Sequence, residues 1–361
     1  MRNAISRRDW LQRFGGFVGT SAACPILLSF DARAANTINL TLAWIPEGEV
    51  AFVYAAKKRG FWAKRGLEVN ITRGFGSADS AKTAGLNRYE FGQADIGAMI
   101  KASTAGLPLV SVAMTNQRSP VCILSLKGSG ITKPKDLEGK RLGGASAGAA
   151  NTLWPAFAKV NGIDVSKVKM ISLQPGLNIQ ALINKDVDAL ATVYQSSATY
   201  LMADDIPYEI MFFATYGVDI YSIAFITQPD RIKSGPKQVT AFVDGAMEGL
   251  RFSYLNPDDA LEDFIEAIPE SGKTERDRKI TRHSLMINNA EGFSEEVRRN
   301  GLGWHDEQKV LRTLDIANTY LNLGSRPEVK SIYTNEFAGN IRLTEVEWNR
   351  AAELAKPYLF S

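Results

Sequence analysis

The chain has 361 residues, with 42 lysines and arginines against 39 aspartates and glutamates, for a formal net charge of +3. This near balance excludes the strongly basic surface that binding to nucleic acids or anionic membranes requires. The length exceeds what one hydrophobic core usually serves, so we expect two lobes.

The first 34 residues are predicted to be an export signal rather than part of the fold. Adjacent Arg7 and Arg8 precede the apolar run "FGGFVGTSAACPILLSF", and the small residues around Ala34 are typical of a signal cleavage site. Paired arginines in this setting are typical of twin-arginine signals. Retention as a membrane anchor and lipid attachment at Cys24 are the alternatives. Cleavage near Ala34 leaves 37 residues of each charge, so the mature chain is expected to be nearly neutral.

Cysteine and histidine are placed unfavourably for catalysis or metal binding. Cys122 is the only cysteine after residue 34, and its apolar surroundings, "PVCILSL", are typical of a small core residue. His283 and His305 fall in the C-terminal part without the spacing of a zinc site. We therefore expect no catalytic residue, no metal and no cofactor.

Strand and helix patterns alternate from residue 38 to residue 225, which predicts an α/β fold. After "YSIAFITQ" the chain changes to amphipathic helical patterns, and we expect this helical tail to pack back on the first lobe. The predicted architecture is bilobal, with two mixed or parallel sheets flanked by helices. Lobe 1 is predicted to comprise residues 35–118 and 222–361, and lobe 2 residues 119–221. The predicted strands include "INLTLAW", "LEVNITRG", "ADIGAMI", "LPLVSVAM", "VCILSLKG", "KRLGG", "KVKMISL" and "LATVY".

Residues just beyond the carboxyl ends of the strands are the candidate site residues, because ligands bind there in open α/β sheets. Trp44 ends the first predicted strand and is placed to stack on a planar ligand. Glu47 and Glu49 follow in the same loop. They either accept hydrogen bonds from an amine or pair with a cation, or they merely complement the dipole of the following helix.

Two turns rich in glycine and serine, "GFGSAD" and "GGASAG", precede predicted helices and are expected to face one another across the cleft. Free N–H groups at a helix start bind anionic or carbonyl oxygens. The alternative is that the two serines serve only as N-caps. The candidate residues of these turns are Gly76, Ser77, Ala78, Ser146 and Ala147.

Three tyrosines are further candidates. Tyr194 ends the predicted strand "LATVY", and Tyr216 and Tyr221 lie near the second predicted crossing between the lobes. Each either contacts the ligand or fills the core, and the sequence leaves both possibilities open.

Several segments, taken in order, resemble one protein family. The export signal is followed by "LAWIPEGEVAFVYAAKKRGFWAKRGLEVNI", "GSADSAKTAGLNRYEFGQADIGAM", "KDLEGKRLGG" and "IQALINKDVDAL". Together they resemble the periplasmic substrate-binding proteins of ABC importers for sulfonates, nitrate and thiamine pyrimidine precursors. The resemblance covers most of residues 36–225, and the tail fits in outline.

This resemblance implies a type II periplasmic-binding-protein fold that closes on a small molecule and docks on a membrane permease. Carried onto this chain, it adds Met99, in the turn after "ADIGA", to the candidate residues already named. The pyrimidine-binding members are similar in having "W-x-P-N" followed shortly by a histidine. This chain departs from that pattern, with Glu47 in place of the asparagine and Val50 in place of the histidine.

We therefore expect a monomeric periplasmic receptor for a small, planar, nitrogen-containing molecule of the pyrimidine-precursor type, delivered to an ABC permease. Receptors for sulfonates, nitrate or aromatic carboxylates are the alternatives of the same class. A remote alternative is an enzyme resembling the eukaryotic pyrimidine-precursor synthases, which depend on an active-site histidine and a cysteine-rich run. Val50 and the isolated Cys122 disfavour that alternative, so the chain is not expected to be an enzyme.

Overall fold

A computed structural model describes residues 36–359 of the chain. The predicted export signal, with Arg7, Arg8, Cys24 and Ala34, lies outside these described residues. The described part contains two five-stranded sheets with helices packed around them, which confirms the predicted fold class.

Five strands, numbered along the chain, form the sheet of the first lobe: β1 (Asn36–Thr41), β2 (Leu67–Thr72), β3 (Phe91–Asp95), β4 (Val110–Met114) and β10 (Ile223–Thr227). Their order in the sheet is β2-β1-β3-β10-β4. β1 runs parallel to β2 and β3, whereas β10 runs antiparallel to both β3 and β4. Every residue of β3 and β4 is buried, as expected where helices cover both faces of a sheet.

Five further strands form the sheet of the second lobe: β5 (Val121–Leu126), β6 (Arg141–Gly144), β7 (Lys169–Ser172), β8 (Ala189–Val193) and β9 (Tyr208–Phe212). Their order is β7-β6-β8-β5-β9, with β6 parallel to β7 and β8 and with β5 antiparallel to β8 and β9. The second sheet thus repeats the arrangement of the first. The strands of each sheet fall within the residue ranges predicted for its lobe, while the exact lobe boundaries stay a prediction.

Several helices begin at signals that the sequence carries. Proline is the first residue of α7 (Pro229–Ser234), α8 (Pro236–Leu255) and α9 (Pro257–Ala267), where its missing N–H costs no hydrogen bond. Thr274 and Thr344 form capping boxes at the starts of α10 (Glu275–Glu291) and α14 (Glu345–Ala355). The α-helices are α1 (Ala51–Lys58), α2 (Ser77–Gly85), α3 (Ile96–Thr104), α4 (Ala149–Val160), α5 (Asn178–Ile183), α6 (Tyr194–Ala203), α7 (Pro229–Ser234), α8 (Pro236–Leu255), α9 (Pro257–Ala267), α10 (Glu275–Glu291), α11 (Glu295–Asn300), α12 (Glu307–Tyr320), α13 (Val329–Ile332) and α14 (Glu345–Ala355).

The prediction that "ADIGAMI" is a strand is wrong. β3 ends at Asp95, whose side chain caps α3 by accepting a hydrogen bond from the Gly97 N–H at 2.8 Å. The apolar residues that follow belong to a buried helix, which short apolar runs do not distinguish from a buried strand. The edge strand β9 was not among the predicted strands.

The helical tail packs on both lobes, so the expectation that it packs on the first lobe is only partly confirmed. α8 and α9 pack on α1 of the first lobe, whereas α10 also contacts α6, and α12 contacts both α3 and α4. One hydrophobic cluster includes Ile100 of α3, Phe157 of α4 and Leu314 of α12. The two lobes therefore share part of their apolar core on the side of α12.

Within residues 36–359, no helix is both long and apolar enough to cross a bilayer.

Candidate ligand-binding site

A cleft of about 660 Å³, counted with the part open to solvent, lies between loops and helix starts of the two sheets. The first lobe contributes Trp44, which follows β1, and Ser77 at the start of α2. The second lobe contributes Ala145, which follows β6, and the first residues of α4 and α6. The cleft thus lies at the carboxyl ends of parallel strands, where the sequence predicts the ligand.

Trp44 supplies the aromatic wall of the cleft. Its side chain is half-buried, and its backbone carbonyl accepts a hydrogen bond from the Gly74 N–H at 2.8 Å, which holds the loop in place. Small side chains, Ala145, Ala149 and Ala191, line other parts of the cleft and leave room for a flat molecule. A partly exposed indole in such a space is suited to stacking.

Glu49 links the two lobes across the cleft. Its carboxylate Oε2 accepts hydrogen bonds from Ser284 Oγ of α10 and from Ser196 Oγ of α6, each at 3.2 Å. Burial raises the pKa of Glu49 to about 7, although the hydrogen bonds from Ser284 and Ser196 act in the opposite direction. This carboxyl group is therefore poised to exchange a proton near neutral pH.

Glu47 lines two further spaces that adjoin the cleft. The residue is half-buried, and its Oε2 is buried and has no hydrogen-bond partner within residues 36–359. Burial, followed by the charge of Glu49, holds the pKa of Glu47 well above its ordinary range, opposed by the hydroxyls of Ser196 and Tyr200. Glu47 is the N-cap of the short helical turn Gly48–Val50 that runs into α1, and Glu49 lies in the first turn of that segment, so both carboxyl groups are also placed to complement the dipole of this helix start.

A third carboxyl group, that of Glu291 at the end of α10, lies behind the cleft and is fully buried. Its Oε2 accepts hydrogen bonds from Asn116 Nδ2 at 2.5 Å and from Gln195 Nε2 at 3.3 Å. Burial raises the pKa of Glu291 well above its ordinary range; the Asn116 hydrogen bond opposes this rise, and the charge of Glu49 adds to it. One carboxyl group, Glu49, thus lines the cleft, and a second, Glu291, lies buried behind it.

Several buried polar atoms around the cleft lack a hydrogen-bond partner within the described part of the chain. They comprise three acceptors, Asn178 Oδ1, Gln195 Oε1 and Glu291 Oε1, and one donor, Asn288 Nδ2. An unsatisfied buried polar group costs free energy, which a ligand with matching groups recovers on binding. The excess of acceptors favours a ligand that presents hydrogen-bond donors.

The lining of the cleft carries carboxylate, amide and hydroxyl groups. All its lining residues lie within residues 36–359, and none of them is a lysine, an arginine or a histidine. An anionic group in the cleft would therefore lie near Glu49 without a compensating cation.

The two turns predicted to face one another do meet across the cleft. The Ala78 N–H donates a hydrogen bond to the Ala147 carbonyl oxygen at 3.1 Å. Gly76 has φ of +132°, and a Cβ at this position would lie 2.3 Å from the same carbonyl oxygen. Only glycine allows the two backbones to approach this closely.

The alternative that Ser77 and Ser146 are N-caps is wrong. Gly76 is the N-cap of α2, and Gly148 is the N-cap of α4. Ser77 Oγ instead accepts a hydrogen bond from the Asp95 N–H at 3.1 Å, and Ser77 lines the cleft. Ser146 Oγ lies 2.6 Å from another hydroxyl, that of Ser172, and Ser146 is not a lining residue.

Gly76, Ala78 and Ala147 of the two turns also lie outside the cleft lining, and so do four further predicted site residues. Met99 is fully buried in the hydrophobic core, and Tyr221, 1% exposed, accepts a hydrogen bond at its hydroxyl from a backbone N–H. The Tyr194 hydroxyl lies 3.1 Å from another tyrosine hydroxyl, and Tyr216 packs edge-on against a phenylalanine. The strand-end rule places the backbone, whereas the side-chain direction depends on packing. A ligand role for these four residues stays a prediction that no cleft contact supports.

The sequence analysis missed the amides that give the cleft its polar character. Asn116 closely follows β4 and Gln195 closely follows β8, so the strand-end rule could have identified both. Gln93 lies within β3, where alternation of strand faces was the available signal. Asn288 had no signal, because it lies in the tail helix α10, whose contact with the second lobe was not foreseen.

A family model described as NMT1/THI5 like matches residues 47–260, more than half of the chain. The chain belongs to this family. Among known proteins, the chain is 23% identical to the riboflavin-binding protein RibY of Chloroflexus aurantiacus, covering 83% of this chain and 85% of that protein. It is 24% identical to the formylaminopyrimidine-binding protein of Halalkalibacterium halodurans, covering 66% and 73%.

Another relative has an enzyme name. The chain is 22% identical to the 4-amino-5-hydroxymethyl-2-methylpyrimidine phosphate synthase of Legionella pneumophila, covering 84% of this chain and 92% of that protein. Among solved structures, the alkanesulfonate-binding protein SsuA of Xanthomonas axonopodis pv. citri is similar at a TM-score of 0.63 and 14% identity, covering 82% and 98%. This likeness confirms the predicted periplasmic-binding-protein fold of this NMT1/THI5 like protein.

Proposed function

We propose that this protein is a solute receptor that closes on a small, planar, nitrogen-containing molecule and delivers it to an ABC permease. The observation that carries the proposal is the cleft lining, where Trp44 lies among carboxyl and amide acceptors. Two relatives are named for binding riboflavin and a formylaminopyrimidine, and both of these ligands contain a planar nitrogen heterocycle. Their names support the proposal.

The proposed mode of binding uses both lobes. The ligand ring stacks on Trp44 of the first lobe, and its N–H groups donate to Glu49 and to the unpartnered oxygens of Gln195 and Asn178. Only a ligand that contacts both lobes favours the closed state over the open one, so these contacts convert binding into closure. Closure then distinguishes the loaded receptor from the empty one at the permease.

The anionic alternatives fit this cleft less well. Sulfonates, nitrate and aromatic carboxylates each bring a negative charge close to Glu49, and the lining within residues 36–359 supplies no cationic side chain. The alkanesulfonate-binding neighbour therefore supports the fold of this protein and not its ligand.

Enzymatic conversion finds little support in the positions of the reactive side chains. His305 is buried, with its Nε2 2.7 Å from Ser111 Oγ, and neither this residue nor His283 lines the cleft. Cys122 is buried in β5. We therefore propose binding without chemical conversion for this chain, although some relatives are named as synthases.

A melting-temperature screen of residues 35–361 tests the proposal. The panel contains aminopyrimidines, flavin precursors, sulfonates, aromatic carboxylates, nitrate and polyamines. A ligand present at a hundred times its dissociation constant stabilises the folded state by about 2.7 kcal/mol, which raises the melting temperature by several degrees. We expect planar nitrogen heterocycles to produce this rise and anions to leave the melting temperature unchanged. A response confined to the anions would contradict the proposal.

The stacking role is tested on the ligand that the screen identifies. Trp44→Ala is expected to weaken binding at least tenfold in calorimetric titration, because it removes the aromatic wall. Trp304→Ala is the matched control, since Trp304 is half-buried like Trp44 but does not line the cleft. Equal affinities of the Trp44 variant and the wild type would show that the ring does not stack there.

The proposal also covers where the receptor works and how it hands over its ligand. We propose that the receptor works in the periplasm as a monomer that presents its closed form to an inner-membrane ABC permease. Cells that lack the receptor are expected to lose high-affinity uptake of the ligand, and the exported wild-type chain is expected to restore it. Uptake that persists in cells without the receptor would argue against a role in import.

A further inference from the structure

A second chamber of about 680 Å³, again counted with its open part, adjoins the cleft between α6 and α10. The loop after β1 forms one wall of this second chamber, through Ile45, Pro46 and Glu47. The opposite elements contribute Tyr200 of α6 and Ser271, which lies in the short helical turn before α10.

The second chamber and the cleft share wall residues with a small cavity that lies between them. A small cavity of about 250 Å³ shares Trp44 and Ser196 with the cleft, and Glu47 and Tyr200 with the second chamber. Gln195 belongs to the walls of both larger spaces. This connecting space holds little more than one water molecule, so a ligand seated against Trp44 reaches the second chamber only when the side chains around Glu47 and Tyr200 move apart.

The charged side chains that line the second chamber are all acidic: Glu47, Glu270 and Asp277. None of the lining residues, all within the described 36–359, is a lysine, an arginine or a histidine. Arg276 directly precedes Asp277 in the chain, but its guanidinium group pairs with Asp204 at 2.5 Å. The second chamber therefore favours a positively charged group.

The unsatisfied atoms of the second chamber are acceptors. Gln195 is only 3% exposed and its Oε1 has no partner within the described chain, and the same holds for the buried Oε2 of Glu47. The Thr281 hydroxyl, by contrast, already donates to the Ser271 carbonyl oxygen at 2.7 Å. Asp277 accepts from the Thr274 N–H at 3.0 Å. What the second chamber lacks is a donor.

We propose that the ligand has two parts, a planar ring held in the cleft and a flexible extension whose ammonium group lies in the second chamber between Glu47 and Gln195. This inference rests on the proposed function and specifies the class of ligand: a heterocycle that carries an aminoalkyl chain. The ring supplies the stacking area, and the ammonium group supplies the donors that the acidic wall lacks.

Calorimetric titration of three probes on the wild type tests the inference: an aminopyrimidine, the same ring with an aminopropyl chain, and the same ring with a hydroxypropyl chain. We expect the aminopropyl probe to bind at least about tenfold more tightly than the bare ring, since hydrogen bonds to charged groups are worth about one such factor or more. The hydroxypropyl probe is expected to gain less. Equal gains from both chains would overturn the assignment of a cationic group.

Variants of the wall of the second chamber show whether the added affinity of the aminopropyl probe arises there. Ser271→Trp fills the second chamber, and Glu270→Lys places a positive charge on its exposed rim. Both variants are expected to abolish the gain of the aminopropyl probe and to leave the affinity for the bare ring unchanged. The matched controls are Ser166→Trp and Glu68→Lys, both at exposed positions that do not line the second chamber. They are expected to keep the gain.

The outcomes separate the inference from the proposed function. If the bare ring binds the wild type and the aminopropyl chain adds nothing, or if its gain survives in both wall variants, the two-part ligand is wrong and the receptor role stands. If none of the three probes binds the folded wild type, the inference is overturned. Whether the receptor role then stands is decided by the melting-temperature screen with its wider panel.

Discussion

Glu49→Gln is expected to remove a large part of the pH dependence of stability. In the folded protein, burial raises the pKa of Glu49 from its ordinary 4.5 to about 7. Between these two values the folded state holds a proton that the unfolded chain has released, so raising the pH destabilises the folded state. The contribution is fully present below pH 4.5 and is lost as the pH rises through about 7. It amounts to about 3 kcal/mol of unfolding free energy.

Glutamine at position 49 keeps an oxygen for Ser196 and Ser284 but does not ionise. The variant is therefore expected to match the wild type at pH 4.5 and to exceed its stability by up to about 3 kcal/mol at pH 8. Glu47 and Glu291 carry raised pKa values of the same direction, so the variant retains part of the slope.

Urea unfolding at several pH values between 4.5 and 8, followed by circular dichroism and by tryptophan fluorescence, measures this difference. Coincident transitions from the two probes show that a single unfolding free energy applies. Glu68→Gln, on the exposed surface of β2, is the control and is expected to follow the wild type at every pH. If the Glu49→Gln and wild-type curves ran parallel across this range, the buried carboxyl group of Glu49 would not exchange its proton between pH 4.5 and 8.

Two further predictions concern the cleft turns and the core. Gly76→Ala is expected to weaken ligand binding by roughly tenfold in calorimetric titration, because its Cβ would press on the Ala147 carbonyl oxygen in the closed state. Gly66→Ala is its matched control: Gly66 also has a positive φ, yet no atom lies within 4 Å of the added Cβ, so affinity is expected to be unchanged. Cys122 is expected to resist thiol reagents in the native protein and to react at once in urea, because burial, with a smaller effect of Glu291, raises the pKa of its thiol. Rapid labelling of the native protein would contradict the buried position.

The sequence predicts those features that depend on local pattern. Alternating strands and helices indicate two sheets, and the strand-end rule brings Trp44, Glu49 and Ser77 to the cleft lining. Local pattern does not predict the structure where one apolar run spans the end of a strand and the start of a helix. This is the case at residues 94–100, where β3 ends and the buried helix α3 begins. It also fails for side-chain direction, so Met99 and Tyr221 lie in the core.

The missing part of the site depends on contacts between distant segments. Glu291 meets Asn116 and Gln195 only because α10 lies against both lobes. No periodicity in the tail specifies that placement, since a helix of this kind can bury its apolar face on either lobe. The acidity of the cleft is therefore a tertiary property, of which the sequence showed only the part carried by Glu47 and Glu49.

The strand order of the first sheet also sets an order of events during translation. β10 lies between β3 and β4, and in the described part it is the only strand of the sheet that pairs with β4. The 108 residues from 115 to 222 separate β4 from that partner, whereas all five strands of the second sheet fall within residues 121–212. As the chain leaves the ribosome, the second sheet can be complete while β4 still has an open, apolar edge. The sheet of the first lobe can therefore be completed only after residue 227 has emerged.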